Sequence, residues 1–338
     1  DGDSVEYKKA LARDIYERRV SRGLYQSQEA LQDSMLGLKE AMDAVLKAEG
    51  KGRVYIEDVA GFENAYLGEN RLSSKNLTEC SVFGQRLFKP LLKEAARLAK
   101  TAEERAELTD YMMAKHGLER NEVMARRDAR KKAREELAKE LREAEKSGKD
   151  AVDEVKRKMK DRTDELYREN RKRDYAGLTA LTGMPYVGDA EDEARRMVAD
   201  YERAHTVKTL WDRVNAVNAA TLLKSYESGM ISRETYDGIR GMYKNYIPLR
   251  GFDENTAEDA YAYVSSDGRG GFNAPIKAAK GRKSKADDPF ANMEAMAESA
   301  IMQGNRNVLV KQRFMNFAVN HPSDLVSISD LWLWKNDA

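Results

Sequence analysis

The stretch that decides the fold runs from Asp212 to Asp253 and closes on Tyr243-Lys-Asn-Tyr-Ile-Pro-Leu-Arg-Gly-Phe-Asp253. It is the densest apolar and aromatic region of an otherwise charged chain. Val207, Leu210, Trp211, Val214, Val217, Leu222 and Tyr226 recur at helical spacing, which predicts one strong helix stopped by Gly229. Ser232 suits the cap of a second helix carrying Tyr236, Ile239, Met242 and Tyr243. Pro248 then halts it. The residue before a proline avoids helical angles, so Tyr246-Ile247 is predicted to be extended.

The bulk composition narrows the context. A chain of 338 residues has room for two or three domains at roughly 150 residues each. With 35% charged residues and a mean hydropathy of -0.75, part of it should be extended, solvated helix. The 59 basic and 58 acidic residues nearly cancel, so only local patches would favour nucleic acid or a membrane. The single cysteine, Cys80, excludes a disulfide framework within the chain and fits a reducing compartment. Asn76-Leu-Thr78 matches the glycosylation sequon, a triplet that also arises by chance. No apolar run reaches the ~18 residues of a membrane span. Asp1-Gly-Asp-Ser4 is no signal peptide and reads as the cut end of a longer parent.

Outward from the central stretch, the chain reads as helix throughout. A first helix carries Val5, Leu11, Ile15 and Tyr16. A second carries Leu31, Met35, Leu38, Met42, Val45 and Leu46 and ends at Gly50. Residues 56–68 suggest a short helix with Val59, Phe62, Tyr66 and Leu67 on one side, followed by a polar turn over Ser73–Asn76. Helices are expected at 77–99 and 101–115, the latter opened by Thr101 with Glu103 and Glu104 and stopped by Gly117. From 119 to 172, Ala125, Ala129, Ala133, Leu137, Leu141 and Ala144 form a thin seam. Gly148 breaks it, and Val152, Val155, Met159 and Leu166 resume it. This pattern predicts an antiparallel, coiled-coil-like hairpin whose other faces alternate cations with glutamates. A glycine-punctuated loop follows from Gly177 to Gly188, and Asp189–Glu193 opens the next helix. Thr256 starts a short helix holding Tyr261 and Tyr263. Residues 265–288 form one long irregular stretch, of the length that is usually functional or disordered. Asp288-Pro289 begins a last helix with Phe290, Met293, Ile301, Phe314 and Phe317. The tail, with Leu331-Trp-Leu-Trp334, suits a short strand or an apolar peg.

Chemical signatures are sparse. His116, His205 and His321 lie far apart with no zinc spacing, which suits surface or helix-end roles. Gly268-Arg-Gly-Gly271 lacks the phosphate-loop pattern, and no nucleophile elbow occurs. No cofactor is therefore expected. Tyr246, Arg250 and Asp253 are the candidate cleft, against the plainer reading of a turn held by an arginine–carboxylate pair. The aromatic set from Trp211 to Tyr263 is more readily core than stacking platform. Arg269, Lys277, Lys280, Arg282, Lys283 and Lys285 are the candidate nucleic-acid contacts. Such residues would neutralise phosphates without reading sequence, although Asp287 and Asp288 also fit a solvated tether.

Tyr246-Ile-Pro-Leu-Arg-Gly251, Gly271-Phe-Asn-Ala-Pro275, Lys280-Gly-Arg-Lys-Ser-Lys285, Phe62-Glu-Asn-Ala-Tyr66 and Leu181-Thr-Gly183 together carry a resemblance. Most of the chain resembles the helical associated regions of large polyvalent proteins of phages and conjugative elements, notably of gut Bacteroidetes. The resemblance implies a linking region between enzymatic domains, in a polypeptide that enters the recipient cell with the DNA. It transfers no catalytic residue.

The expected fold is all-α: a multi-helix globular body from residues 1–118 and 176–338, with the 119–175 hairpin projecting from it. The expected function is a non-catalytic scaffold or interaction module of a larger mobile-element protein. The alternatives are a sequence-independent DNA-binding module using the 269–285 loop and an enzyme with a site near Tyr246–Asp253. Expected partners are neighbouring domains, DNA or a host protein, with self-association through the hairpin and no membrane. The expected location is the cytoplasm, or a virion that delivers the protein to the host cytoplasm.

Overall fold

The computed structural model describes residues 36–50, 56, 59–249 and 285–324. The predicted helix around Val5–Tyr16, the Leu31–Met35 end of the second, the helix of Tyr261 and Tyr263, the irregular stretch up to Ser284 and the Trp332–Trp334 tail lie outside these residues. The described residues are all-α and contain no strand. No described helix is long and apolar enough to cross a membrane. Contacts divide the chain into two compact units, one made of Asp1–Glu79 with Met302–Ala338 and the other of Cys80–Ile301.

The first unit is built from α1 (Leu36–Ala48), the start of α2 (Ala65–Phe83), the end of α11 (Pro289–Arg306), a π-helical turn (Asn307–Lys311) and α12 (Gln312–Asn320). Its core holds Met42, Val45, Leu46, Ile56, Ala65, Leu309, Val310 and Phe317. Of the short helix expected over 56–68, residues 61–63 form a turn and 65–68 begin α2, which Asn64 caps. Its Oδ1 accepts from Leu67 N (2.7 Å), and its Nδ2 donates to Ile56 O (2.5 Å). One face of α12 grips this turn: Arg313 Nη1 donates to Asn64 O (3.4 Å), Asn316 Nδ2 to Phe62 O (3.0 Å) and Asn320 Nδ2 to Glu63 Oε1 (2.5 Å). His321, at the end of α12, meets Glu49 through Nδ1 (3.0 Å) and Glu63 through Nε2 (3.4 Å). The polar turn expected at Ser73–Asn76 is helical. It lies within α2, where Thr78 Oγ1 donates back to Ser74 O (2.9 Å) and Asn76 Oδ1 accepts from Asn305 Nδ2 (2.9 Å).

The second unit continues through a π-helical turn (Gly84–Phe88) into α3 (Lys89–Leu98), whose first turn accommodates Pro90. Thr101 and Glu104 form a complete capping box at the start of α4 (Ala102–Glu136). Gly117 does not stop this helix, contrary to the expectation. A Cβ there would sit 2.6 Å from Leu178 Cδ2, so the missing side chain is what lets α7 (Leu178–Thr182) pack on α4. At 35 residues, α4 is about 52 Å long and belongs to both the core and the hairpin.

The hairpin forms as its seam predicts. The first arm bends at Leu137 into α5 (Ala138–Ser147), and Gly148 turns the chain at φ 115° into α6 (Lys149–Asn170). Ala125, Ala129 and Ala133 are fully buried, with Ala144, Val155 and Leu166 beside them. The outer faces are laced by Arg162 to Glu136 (2.7 Å), Arg162 to Glu165 (2.7 Å) and Lys158 to Glu140 (3.7 Å).

Asp174 ties the hairpin base to the core by accepting from Ala176, Gly177 and Thr179 backbone N–H groups (3.2, 2.8 and 2.8 Å). A kinked turn over Tyr186–Ala190 leads to α8 (Glu191–Ala204), then α9 (Lys208–Glu227) and α10 (Arg233–Arg240). Ser232 caps α10 as predicted, and Asp288 caps α11 by accepting from Phe290 N (2.9 Å). The core of this unit holds Leu91, Tyr111, Met112, Leu178, Leu210, Trp211, Val214, Ile247 and Met293. The Tyr246–Leu249 run crosses it with Ile247 and Leu249 buried and Tyr246 O accepting from Asn218 Nδ2 (2.7 Å).

Two helical glycines should respond oppositely to alanine. A Cβ on Gly68 would lie 1.7 Å from Leu309 O, a backbone atom, whereas one on Gly238 meets nothing within 4 Å. Gly68→Ala is expected to destabilise by ~2 kcal/mol or more, and Gly238→Ala to stabilise by ~0.5–1 kcal/mol. Urea denaturation monitored by circular dichroism checks both signs.

Candidate functional site

The middle of α4 builds the most unusual polar cluster among the described residues. With one face at Gly117 taken by Leu178, His116 and Arg120 stand one turn apart facing the chain after α10. Glu119 fixes that chain, accepting from Lys244 N (2.5 Å) and Asn245 N (3.0 Å). The fixed turn sets the rings of Tyr243 and Tyr246 edge-on to His116, with centroids at 5.1 and 5.3 Å. The two tyrosines stack on each other at 5.8 Å. His116 is fully buried and Arg120 nearly so. Among the described residues, neither ring nitrogen of His116 completes a hydrogen bond, and neither does Arg120 Nε.

Electrostatics follow from this burial. Loss of solvent, then the neighbouring Arg120 charge, push the His116 imidazole down to about 3. The Asn245 backbone opposes this weakly without closing a hydrogen bond. His116 is therefore neutral at pH 7. Burial also lowers Arg120, with Tyr243 and Tyr246 opposing. Burial raises Tyr243, and Arg120 opposes that shift. The cluster combines a neutral imidazole, a guanidinium and two phenols. Among the described residues no carboxylate accepts from the imidazole.

A second network lies nearer the start of α4. Tyr111 stacks on Tyr201 (4.5 Å) and accepts from Trp211 Nε1 (2.8 Å), while its hydroxyl donates to Glu202 Oε1 (2.9 Å). Burial alone would raise Glu202, but hydrogen bonds from Lys115 and Tyr111 hold it below the usual carboxylate range. Every member has a packing or pairing role, and Trp211 is core.

Of the candidate cleft, Tyr246 is brought to His116, while Arg250 and Asp253 lie outside the described residues. Of the candidate nucleic-acid contacts, Arg269, Lys277, Lys280, Arg282 and Lys283 also lie outside them. Lys285 is described and pairs with Asp110 Oδ1 at 2.7 Å. The histidines divide. His205 and His321 close helices α8 and α12, as a helix-end role requires, whereas His116 is buried mid-helix, which corrects the expectation for it. Sequence reasoning missed His116 and Arg120 because Gly117 read as a helix end. Their i,i+4 spacing becomes a signal only once the helix is known to continue. Among the described residues no three His, Cys, Asp or Glu side chains are arranged to hold a metal ion. No family model, curated protein or solved structure matches the chain.

The buried imidazole makes a pH prediction. In the unfolded chain His116 takes a proton below ~6.5, which the fold refuses until about 3. Stability contributed by this group is present above pH 6.5 and is lost as pH falls from there toward 3. The expected loss is roughly 2–4 kcal/mol. Chemical denaturation between pH 7.5 and 4 should show this slope in the wild type, and a shallower one in His116→Phe.

Proposed function

We propose that the chain is a non-catalytic helical scaffold module within a larger polypeptide, and that its hairpin is a stiff strut setting the spacing of what it joins. The observation that carries this reading is α4, which runs unbroken from Tyr111 in the core to Ala133 in the hairpin seam. A strut that shares a helix with its base has no joint there. The apolar seam is consumed between the arms, and the outer faces are solvated ion pairs. Such a surface favours reach over adhesion.

The residues behind the resemblance support the same reading. Asn64 caps a helix, Glu63 receives Asn320 and His321, and Ile247 fills the core. These are folding roles, as a linking region requires. The larger polypeptide is then of the polyvalent phage or conjugative-element type, working in the recipient cytoplasm.

Spin labels test the strut. In a Cys80→Ser background, Lys149→Cys at the hairpin turn and Asn215→Cys on α9 should give one narrow distance distribution by pulsed electron resonance. A distribution broader than ~10 Å, the scale of a hinged arm in this range of length, would sink the proposal.

A further inference from the structure

We propose that an open groove between α3 and α9 binds the phosphate backbone of a nucleic acid, independently of base sequence. The groove encloses about 470 Å³ and is lined by Gln85, Lys89, Lys93, Arg97, Thr209 and Arg213, with Pro90 and Glu94 completing it. Lys89, Lys93 and Arg97 follow one another at i, i+4 and i+8 on α3, a row of cations about 6 Å apart. Arg213 reaches the same groove from α9.

The charge pattern is the argument. Many exposed helical cations of this chain pair with carboxylates three or four residues away, as in Lys75–Glu79, Lys131–Glu135, Arg195–Glu191 and Lys208–Asp212. Along α3, Arg97 has such a partner in Glu94, whereas Lys89 and Lys93 have no carboxylate three or four residues away. The neighbours of Lys93 at i±4 are Lys89 and Arg97, and Lys89 has Gln85 and Lys93. Like charges at this spacing destabilise a helix. Lys89, Lys93 and Arg213 make no ion pair within 4 Å among the described residues, although Arg213 lies close enough to act on Glu94 electrostatically. The single carboxylate, Glu94, is taken by Arg97 through two hydrogen bonds (2.7 and 3.1 Å), and Arg97 also donates to Thr206 O (3.3 Å). A helix that stacks cations against its own stability, beside a fourth cation from another helix, is complementary to a linear polyanion. Among the described residues no aromatic ring lines the groove, so these residues offer bases no stacking wall and favour phosphate contact without sequence reading. This site shares no residue with the hairpin or with the 269–285 loop.

The experiment is fluorescence anisotropy of a labelled 20-nucleotide single strand and a 20-base-pair duplex from 50 to 200 mM NaCl. The full chain would be compared with the Lys89→Gln, Lys93→Gln, Arg213→Gln variant and, separately, Lys280→Glu, Arg282→Glu, Lys283→Glu. Circular dichroism would confirm that each variant folds. The groove predicts at least ~10-fold weaker binding for the first variant at 50 mM. It also predicts a salt slope reduced by about 2, from three lost phosphate contacts at ~0.7 each on a single strand. The proposal is overturned by no binding at 50 mM, by an unchanged slope in the first variant, or by a loss confined to the loop variant. Binding only to phosphatidylserine vesicles would overturn it as well.

Discussion

The close contact of Leu178 with Gly117 is the constraint that seats α7 against the middle of α4. A Cβ at 117 would force the Leu178 side chain to shift. With α7 in place, Asp174 gathers three backbone N–H groups, Asn121 accepts from Tyr175 N (2.8 Å), and the hairpin base is locked to the helix that forms its own first arm. The same packing leaves His116 and Arg120 facing Tyr243 and Tyr246, away from solvent. The burial that keeps the imidazole neutral comes from the chain that Glu119 fixes across it.

Features decided within a few residues were legible in the sequence. The Thr101 capping box, the Ser232 and Asp288 caps, the turn at Gly148 and the alanine seam all appear where local chemistry places them. Features decided by distant partners were not. Gly117 has the composition of a helix stop, and its role depends on Leu178, far along the chain. Ser73–Asn76 has the composition of a turn, yet Asn76 is engaged by Asn305 across the unit and the helix persists. Phe62 fits an apolar helical face, but its turn is held by α12 and the ring stays 61% exposed.

The polar sites divide along the same line. Tyr246 stood out because a proline and aromatics surround it, whereas its partner His116 carries no local mark. The cation row on α3 is visible as spacing alone, but Arg213 joins it only through tertiary packing. A single sequence shows where charges recur along one helix and is silent on which second helix completes the surface.

The nesting of one unit inside the other has a consequence for biosynthesis. The second unit occupies an uninterrupted span and holds all its contacts once residue 301 has been made. The first unit must wait: Glu49 and His321, which meet in it, are 272 residues apart. At ~5–20 residues per second of translation, the apolar face of Met42, Val45 and Leu46 is without Leu309 and Phe317 for tens of seconds. Transiently exposed apolar surface of this kind is aggregation-prone until its partner is made.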